Sequence, residues 1–410
     1  MVILLGSIIA VGPMSIDLYL PAFPQLTELL QTGARSVQLS LTAFLIGMAV
    51  GQIVIGPLSD AVGRRKPLVI GMIAYTLASL LCMISPTIEV LIASRLLQGL
   101  SGSVGAVMAL ALVRDMFDGP QLARMMSRLI LVMGAAPVFA PMLGGWLLNL
   151  TGWRGLFGVL AGFGLVMTVV VAVFVSETLH TADRQHPGVR QTARSYRQVL
   201  ADRRYLGYAA IQVSGFVLIF GYVSGSSFAY QEVHQVSEQV YGMLFGLNAV
   251  GQVIASQVNA WLVLRRDAAS ILRRTLPVTV LGAAALVLTT TTGFGGLSGL
   301  AVPMFVIMTT VGLILPNAGA LALNRHPHNA GTAAAFVGMA QFAIGSLVGP
   351  VVSSFGTGSA APMAIVIAVG VTSMVLLSVV VGASDRRRGV GSWDPHDAVP
   401  GAADGAVAER

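Results

Sequence analysis

Long unbroken apolar runs dominate the chain. They fall near residues 2–24, 38–58, 67–85, 88–112, 127–149, 153–176, 206–230, 240–263, 274–293, 297–323, 330–355 and 361–383, each bounded by charge or by turn residues. Most approach the roughly 20 residues at which an α-helix crosses a hydrocarbon core. A transmembrane strand would alternate polar and apolar positions, and these runs do not. The pattern predicts an all-α membrane protein with twelve transmembrane helices.

Composition supports this. Of 410 residues, 55% are hydrophobic and only 10% charged, with mean hydropathy +0.81. Soluble domains carry about 25% charged residues to cover their surface. The net charge of +7 would suit nucleic acid. The basic residues, however, lie in short clusters between the runs, as membrane topology demands, so no nucleic-acid partner is expected. The single cysteine, Cys82, rules out an intrachain disulfide and sits in an apolar run. No Lys or Arg precedes the first run, so it lacks the basic region of a signal peptide. Met1 onward is read as a true first helix, with a short missing leader left open.

The basic clusters set an orientation. Arg64–Arg65–Lys66; Arg114, Arg124 and Arg128; six Arg between Arg184 and Arg204; Arg265, Arg266, Arg273 and Arg274; Arg325; and Arg386–Arg388 with Arg410 make 21 of the 24 basic residues. All follow even-numbered runs, which makes that side, and both termini, cytoplasmic. The exceptions are Arg35, Arg95 and Arg154. The chain divides into a six-helix bundle over 1–177, a polar linker over 178–205, a second bundle over 206–383 and a disordered tail over 384–410. The halves repeat: "AVGQIVIGPLSDAVGRR" begins at Ala49 and "AVGQVIASQVNAWLVLRR" begins at Ala249, an offset of 200 residues.

Between the second and third runs lies "GPLSDAVGRRKPL", residues 56–68. Gly56, Leu58, Ser59, Asp60, Gly63, Arg64, Arg65 and Leu68 match every fixed position of the signature G-x-L-S-D-x-x-G-R-R-x-x-L. In this the chain resembles the major facilitator superfamily, whose fold is two pseudo-symmetric six-helix bundles. The glycines permit a tight turn and close helix approach. Asp60 is expected to face a helix N-terminus, and Arg64 to pair with Asp115. The resemblance implies a conformational latch at Gly56, Asp60, Gly63, Arg64, Arg65 and Asp115 that holds the outward-open state. The copy in the second half carries Ala260 where Asp60 stands, so it is degenerate.

Two charges lie inside apolar runs, where each costs about 2.5–3.5 kcal/mol by insertion scales. Arg95, in "IASRLLQGLSGS", shares a helix face with Gln98, Gly99, Gly102 and Ala106. Its R-x-x-Q-G pattern resembles the motif of proton-coupled superfamily members; alternatively, Arg95 snorkels to the outer interface. Asp17 is the other, and among the seventeen acids it alone falls well inside a predicted helix. It lies roughly 22 Å above the start of run 1, and Arg95 roughly 10 Å below the start of run 4, at 1.5 Å per residue. The two stand at similar heights, so a pair, direct or through water, is expected. A titrating acid beside an arginine can change proton occupancy with conformation, which makes Asp17 and Arg95 the candidate proton-coupling residues. Asp17 could instead only cap structure above Pro21 and Pro24.

"GAAPVFAPMLGG", residues 134–145, resembles the helix-5 motif of drug–proton antiporters. Pro137 and Pro141 should bend the helix, and Gly134, Gly144 and Gly145 should admit close neighbours. "SIDLYLPAFP" around Asp17 and the segments 228–252 and 316–346 resemble the bicyclomycin and chloramphenicol resistance branch. That resemblance, over about residues 10–380, implies a bacterial inner-membrane antiporter that exchanges small amphipathic drugs for protons. It would be a monomer rather than an enzyme, with no cofactor or metal. Ile9 supplies no second acid of the kind some relatives carry two turns before this position. Candidate substrate contacts are Met14, Phe44, Met108, Met133, Phe216, Phe220, Asn317, Gln341 and Phe342. A transporter of one metabolite, inward or outward, and a non-transporting sensor remain as alternatives.

Overall fold

In a computed structural model, residues 2–117, 119–179, 196–326, 330–356 and 358–387 are described. Most of the expected linker, 180–195, and of the expected tail, 388–410, lies outside them. The helices are α1 (Val2–Asp17), α2 (Ala34–Val62), α3 (Arg65–Met83) and α4 (Ile88–Met116). A continuous helical stretch, Gly119–Phe174, changes direction at Gly152, whose φ of 66° is left-handed, giving α5 (119–151) and α6 (153–174). Next come α7 (Arg203–Phe228), α8 (Glu238–Leu262), α9 (Ala268–Thr292), α10 (Gly296–Leu323), α11 (Ala330–Ser354) and α12 (Ala361–Arg387). The described residues contain no strand.

Ten segments are long and apolar enough to cross a membrane. One of them, Val132–Phe174, contains the turn at Gly152 and so crosses twice. α8 falls short on hydropathy because Asn248, Gln252, Gln257 and Asn259 interrupt it. Twelve crossings result, as the apolar pattern predicts.

Boundaries differ from the runs where charge or proline decides. Run 1 is expected to continue to residue 24, but α1 stops at Asp17. Pro21 has no N–H to donate to the carbonyl of Asp17, four residues back. A turn, the 3₁₀ segment Leu20–Ala22 and a short helix, Phe23–Leu29, follow. α9 begins before its run, at Ala268, where Asp267 accepts a 2.8 Å bond from the Ser270 N–H. Arg273 and Arg274 therefore sit on a helix and not in a loop. α12 extends to Arg387, past the expected end at 383.

Successive helices run in opposite directions, so the basic clusters gather at one end of the molecule, the Arg-rich end. The first six helices pack through α1 on α4 and α5, α2 on α4, and α3 on α4 and α6. The last six pack through α7 on α10, α11 and α12, α8 on α10, and α9 on α10 and α12. The two sets meet along α2 against α11 and α5 against α8. Four hydrogen bonds cross between them near the Arg-poor end: Gln38 Nε2 to Ser224 O (3.0 Å), Thr42 Oγ1 to Ser346 O (3.1 Å), Ser227 Oγ to Leu20 O (2.8 Å) and Gln231 Nε2 to Pro21 O (3.2 Å). The molecule is closed there.

The tightest seam within the first six helices is α2 on α4. A Cβ on Gly47 would strike the carbonyl of Leu96, and one on Gly99 would strike the carbonyl of Phe44. These are backbone obstacles that cannot swing aside, so small residues are required. Gly99→Ala should therefore cost roughly 1–3 kcal/mol and lower the melting temperature of the purified protein in detergent. Gly56→Ala, where a Cβ meets nothing within 4 Å, should not lower it.

Candidate functional site

Asp17 ends α1 and is 5% exposed, inside the crossing segment Ile3–Leu29. Its carboxylate has no hydrogen bond and no ion pair among the described residues. Its electrostatic neighbours come from the other half: Tyr222 on α7 and Tyr241 on α8 both lie within reach of its charge. Tyr222 accepts a 2.7 Å bond from Asn248 Nδ2, and Tyr241 shares a 3.1 Å bond with Ser226. The acid thus stands where the halves meet, next to Leu20 and Pro21 of the closed end.

The expected direct pair with Arg95 does not form. Arg95 is fully buried, so it does not snorkel. Its Nη1 donates to Ser15 O (3.1 Å) and to Gln98 Oε1 (2.6 Å). The height argument is sound, since Ser15 lies two residues from Asp17, but the guanidinium is held by other means. Its carbon lies 4.3 Å from the ring centre of Phe44, 4.8 Å from Tyr19 and 5.7 Å from Phe157. Cation–π contacts of this kind are each worth about 0.5–2 kcal/mol. Arg95 Nε and Nη2 have no partner. Gln98 passes the network on, donating to Ser79 (2.8 Å), while Tyr75 bonds Ser15 (2.6 Å). The predicted face of α4 is buried at Arg95, Gln98, Gly99 and Gly102 and partly buried at Ala106.

The signature turn forms as a cluster of charges. Gly63 has φ 101° and ends α2, as the tight turn requires. Arg64 Nε donates to Asp115 Oδ2 (2.9 Å), the expected partner. Arg64 Nη1 reaches Asp60 and Ser59 (2.7 Å). Asp60 therefore does not serve a helix N-terminus. That place belongs to Glu177, at the end of α6, which accepts from the backbone N–H groups of Arg64 (2.7 Å) and Arg65 (3.3 Å). Arg65 Nη2 in turn donates to Ala172 O (2.7 Å). Thr178 adds a 3.0 Å bond to Asp115. Gly56 makes no close helix approach. The bonds of Arg64 and Asp115 all stay within the first six helices.

The helix-5 motif lies on the seam between halves. α5 keeps helical backbone angles through Pro137 and Pro141. A Cβ on Gly144 would strike Leu18 O, next to Asp17, and one on Gly145 would strike Glu238 O at the start of α8. Gly134 faces Val253, and the carbonyls of Val138 and Pro141 face Gly246 and Gly242.

The candidate substrate residues scatter. Phe216, Phe220 and Phe342 gather, with ring centres 6.3 and 6.4 Å apart. Gln341 is next to Phe342 and half-buried, as is Met14, and Met133 is 38% exposed. Phe44 lies instead under Arg95. Met108 is packed in the core formed by α1, α3 and α4. Asn317 is bound to Asn259. Sequence reasoning missed Glu177, the aromatic partners Tyr19 and Phe157, and the facing tyrosines. Only Glu177 carried a signal, as an acid at a helix end.

The Major Facilitator Superfamily profile matches residues 4–350. A Bacillus subtilis (strain 168) protein described as an uncharacterized MFS-type transporter, YdgK, is 39% identical over 88% of this chain and 90% of its own. A bicyclomycin resistance protein homolog of Haemophilus influenzae is 32% identical over 88% of this chain and 91% of its own. The solved structure of a bacterial homolog of the human lysosomal transporter Spinster, inward-facing and unoccupied, superposes with TM-score 0.76 at 14% identity, over 96% of this chain and 98% of that one. This chain is therefore a membrane transporter and belongs to the major facilitator superfamily, in the branch of the bicyclomycin and chloramphenicol resistance proteins.

Proposed function

We propose that the protein exports small amphipathic drugs, antibiotics among them, in exchange for protons across a bacterial cytoplasmic membrane. The observation that carries this reading is Asp17, a buried carboxylate without a partner at the meeting of the two halves. An acid in that setting is retained at a cost of about 2.5–3.5 kcal/mol, and proton binding is the chemistry it has to offer. The Arg-rich end and both termini face the cytoplasm. The chain works as a monomer and needs no cofactor.

The closed Arg-poor end then makes this an inward-facing arrangement. Asp17 releases its proton inward, and substrate enters from the cytoplasm or the inner leaflet. Phe216 and Phe342, partly buried over the packed ring of Phe220, offer flat apolar faces, and Gln341 a polar anchor, which suits varied apolar shapes. Rocking of the two bundles about the α2–α11 and α5–α8 seams breaks the four bonds at the Arg-poor end and opens the outer side. The glycines of α5 let that seam slide on backbone. Arg95, which bonds the carbonyl of Ser15 two residues before Asp17 and whose Nε and Nη2 make no hydrogen bond among the described residues, is placed to meet the ionised acid in another state. The cluster of Arg64, Asp115 and Glu177 keeps the cytoplasmic ends of α2, α3, α4 and α6 moving as one body.

In vesicles with an imposed pH gradient, wild type should accumulate an amphipathic drug and Asp17→Asn should not. Full gradient-driven transport by Asp17→Asn would sink the coupling assignment. If wild type moves no such drug, the substrate class fails. Arg95→Lys keeps the charge and loses the stacking plane and the Gln98 geometry. It should cut transport about tenfold or more while the protein still elutes as a single folded species. Transport by Arg95→Lys at the wild-type rate would leave Arg95 a packing residue only.

A further inference from the structure

The last six helices enclose a cavity that transport, as read above, does not use. It measures about 830 Å³ and opens at the Arg-rich end between α7, α8, α9, α10 and α12. Arg204, Arg266, Arg273 and Arg325 line it. Ile211, Leu272 and Leu321 form an apolar wall, and Asn259 and Asn317 lie deeper. Asn317 is three residues further into its helix than Asn259, roughly 9 Å from the end of α10 at 1.5 Å per residue.

The internal repeat shows why this place is charged. In the first half the turn from α2 to α3 brings arginines together with Asp60, Asp115 and Glu177. The corresponding turn from α8 to α9 keeps its basic pair, Arg265 and Arg266, but holds Ala260 where Asp60 would be. At the end of α10, where α4 carries Asp115, stand Asn324 and Arg325. The arginines were retained and their acids were not. Among the side chains described, two carboxylates remain nearby, and both are committed. Asp267 caps α9 through Ser270. Asp202 caps α7 through the N–H groups of Arg204 and Tyr205, takes a 3.0 Å bond from Arg325 Nε and lies 3.3 Å from His326. Burial alone would raise the Asp202 pKa, yet these donors together hold it below the usual carboxylate range. The guanidinium groups of Arg266 and Arg273 have no hydrogen bond or ion pair among the described residues.

The deep end wants a donor. Asn317 is 1% exposed and gives Nδ2 to Asn259 and to Leu313 O (2.7 Å), while its Oδ1 has no partner. A buried acceptor left unpaired costs about 1–3 kcal/mol. Guanidinium donors at the mouth, an orphan acceptor below and an apolar wall together describe one kind of ligand. We propose that the cavity is a binding site for a phosphate-bearing amphiphile, the phosphodiester headgroup of an anionic phospholipid with a hydroxyl to give to Asn317. Free phosphate shares the anionic chemistry but has no use for the wall. Basic pockets between helices on a cytoplasmic face take lipid headgroups in this way.

The test uses the purified full-length protein in detergent, with added phosphatidylglycerol, phosphatidylcholine or inorganic phosphate. Retained lipid is read by native mass spectrometry and folding by the elution profile. Phosphatidylglycerol should be retained by wild type, and R266Q/R273Q should weaken its retention roughly tenfold or more. R265Q/R274Q removes the same charge from residues outside the cavity and should retain the lipid as wild type does. Release of phosphatidylglycerol by millimolar inorganic phosphate would keep the site and make the free anion its ligand. Equal loss in both double variants, or equal retention of phosphatidylcholine, would overturn the proposal by reducing it to general surface charge or general lipid adhesion.

Discussion

A guanidinium with no counter-ion fixes the inner geometry of the first six helices. Burying an ion costs several kcal/mol even after relaxation, and Arg95 is fully buried. The return comes from three aromatic faces and two accepting oxygens, supplied by α1, α2, α4 and α6 and the turn after α1. Each of those elements has to stand at one distance from the others. Phe44 reaches under the guanidinium only because Gly99, one turn along α4, admits the α2 backbone at Phe44 itself. Gln98 can hold Arg95 only because Ser79 on α3 occupies its other end. The R-x-x-Q-G spacing is thus a packing specification as much as a charge pattern.

At the Arg-rich end of the same half the signature arginine is met by acids. The side chains of Arg64 and Asp115 are 11% and 17% exposed, so their contact is more covered than that of Asp60, whose side chain is 45% exposed and adds little. Glu177 does more than its position suggests, because it satisfies the first N–H groups of α3 and ties α6 to them. The second half follows the same plan without counterparts of Asp60 and Asp115. Its Arg-rich end is an open basic cavity, where the first half ties its signature arginine to acids. A duplicated fold can thus hold a rigid block on one side and a cavity on the other.

Crossing number, repeat and signature were legible because each depends on local composition. The apolar runs announce helices whatever their partners, and Arg64–Asp115 follows from a motif and a helix end. The boundary at Asp17 was also written in the chain, through Pro21 and Pro24, but hydropathy alone hides it because Leu18–Phe23 stays apolar. What sequence could not supply were contacts between distant segments. Counting residues put Asp17 and Arg95 at similar heights, and Arg95 reaches Ser15 O, two residues before Asp17. It could not show that Tyr19, Phe44 and Phe157 surround the guanidinium, nor that Asp17 turns toward Tyr222 and Tyr241. Met108 and Phe44 have the chemistry of substrate contacts but are occupied by packing, and no pattern in the chain distinguishes those uses.

The break after Asp17 joins two facts that look separate. Ending α1 there leaves Leu20 and Pro21 in a single 3₁₀ turn outside the α-helix, and their two carbonyls are the ones that Ser227 and Gln231 of the other half bind. Pro24 has no N–H to give to Leu20 O, four residues back, so that carbonyl takes the Phe23 N–H of the 3₁₀ turn and the Ser227 hydroxyl of α7. Pro21 and Pro24 therefore both end the helix at the buried acid and leave free the acceptors that join the halves above it. Gly144 packs on Leu18, between the acid and those acceptors, and its neighbour Gly145 packs on α8. Asp17 stands three and four residues from the carbonyls whose bonds join the halves at this end. In the exchange proposed above, coupling of proton occupancy to the opening of the Arg-poor end needs no long path, because one short turn carries both.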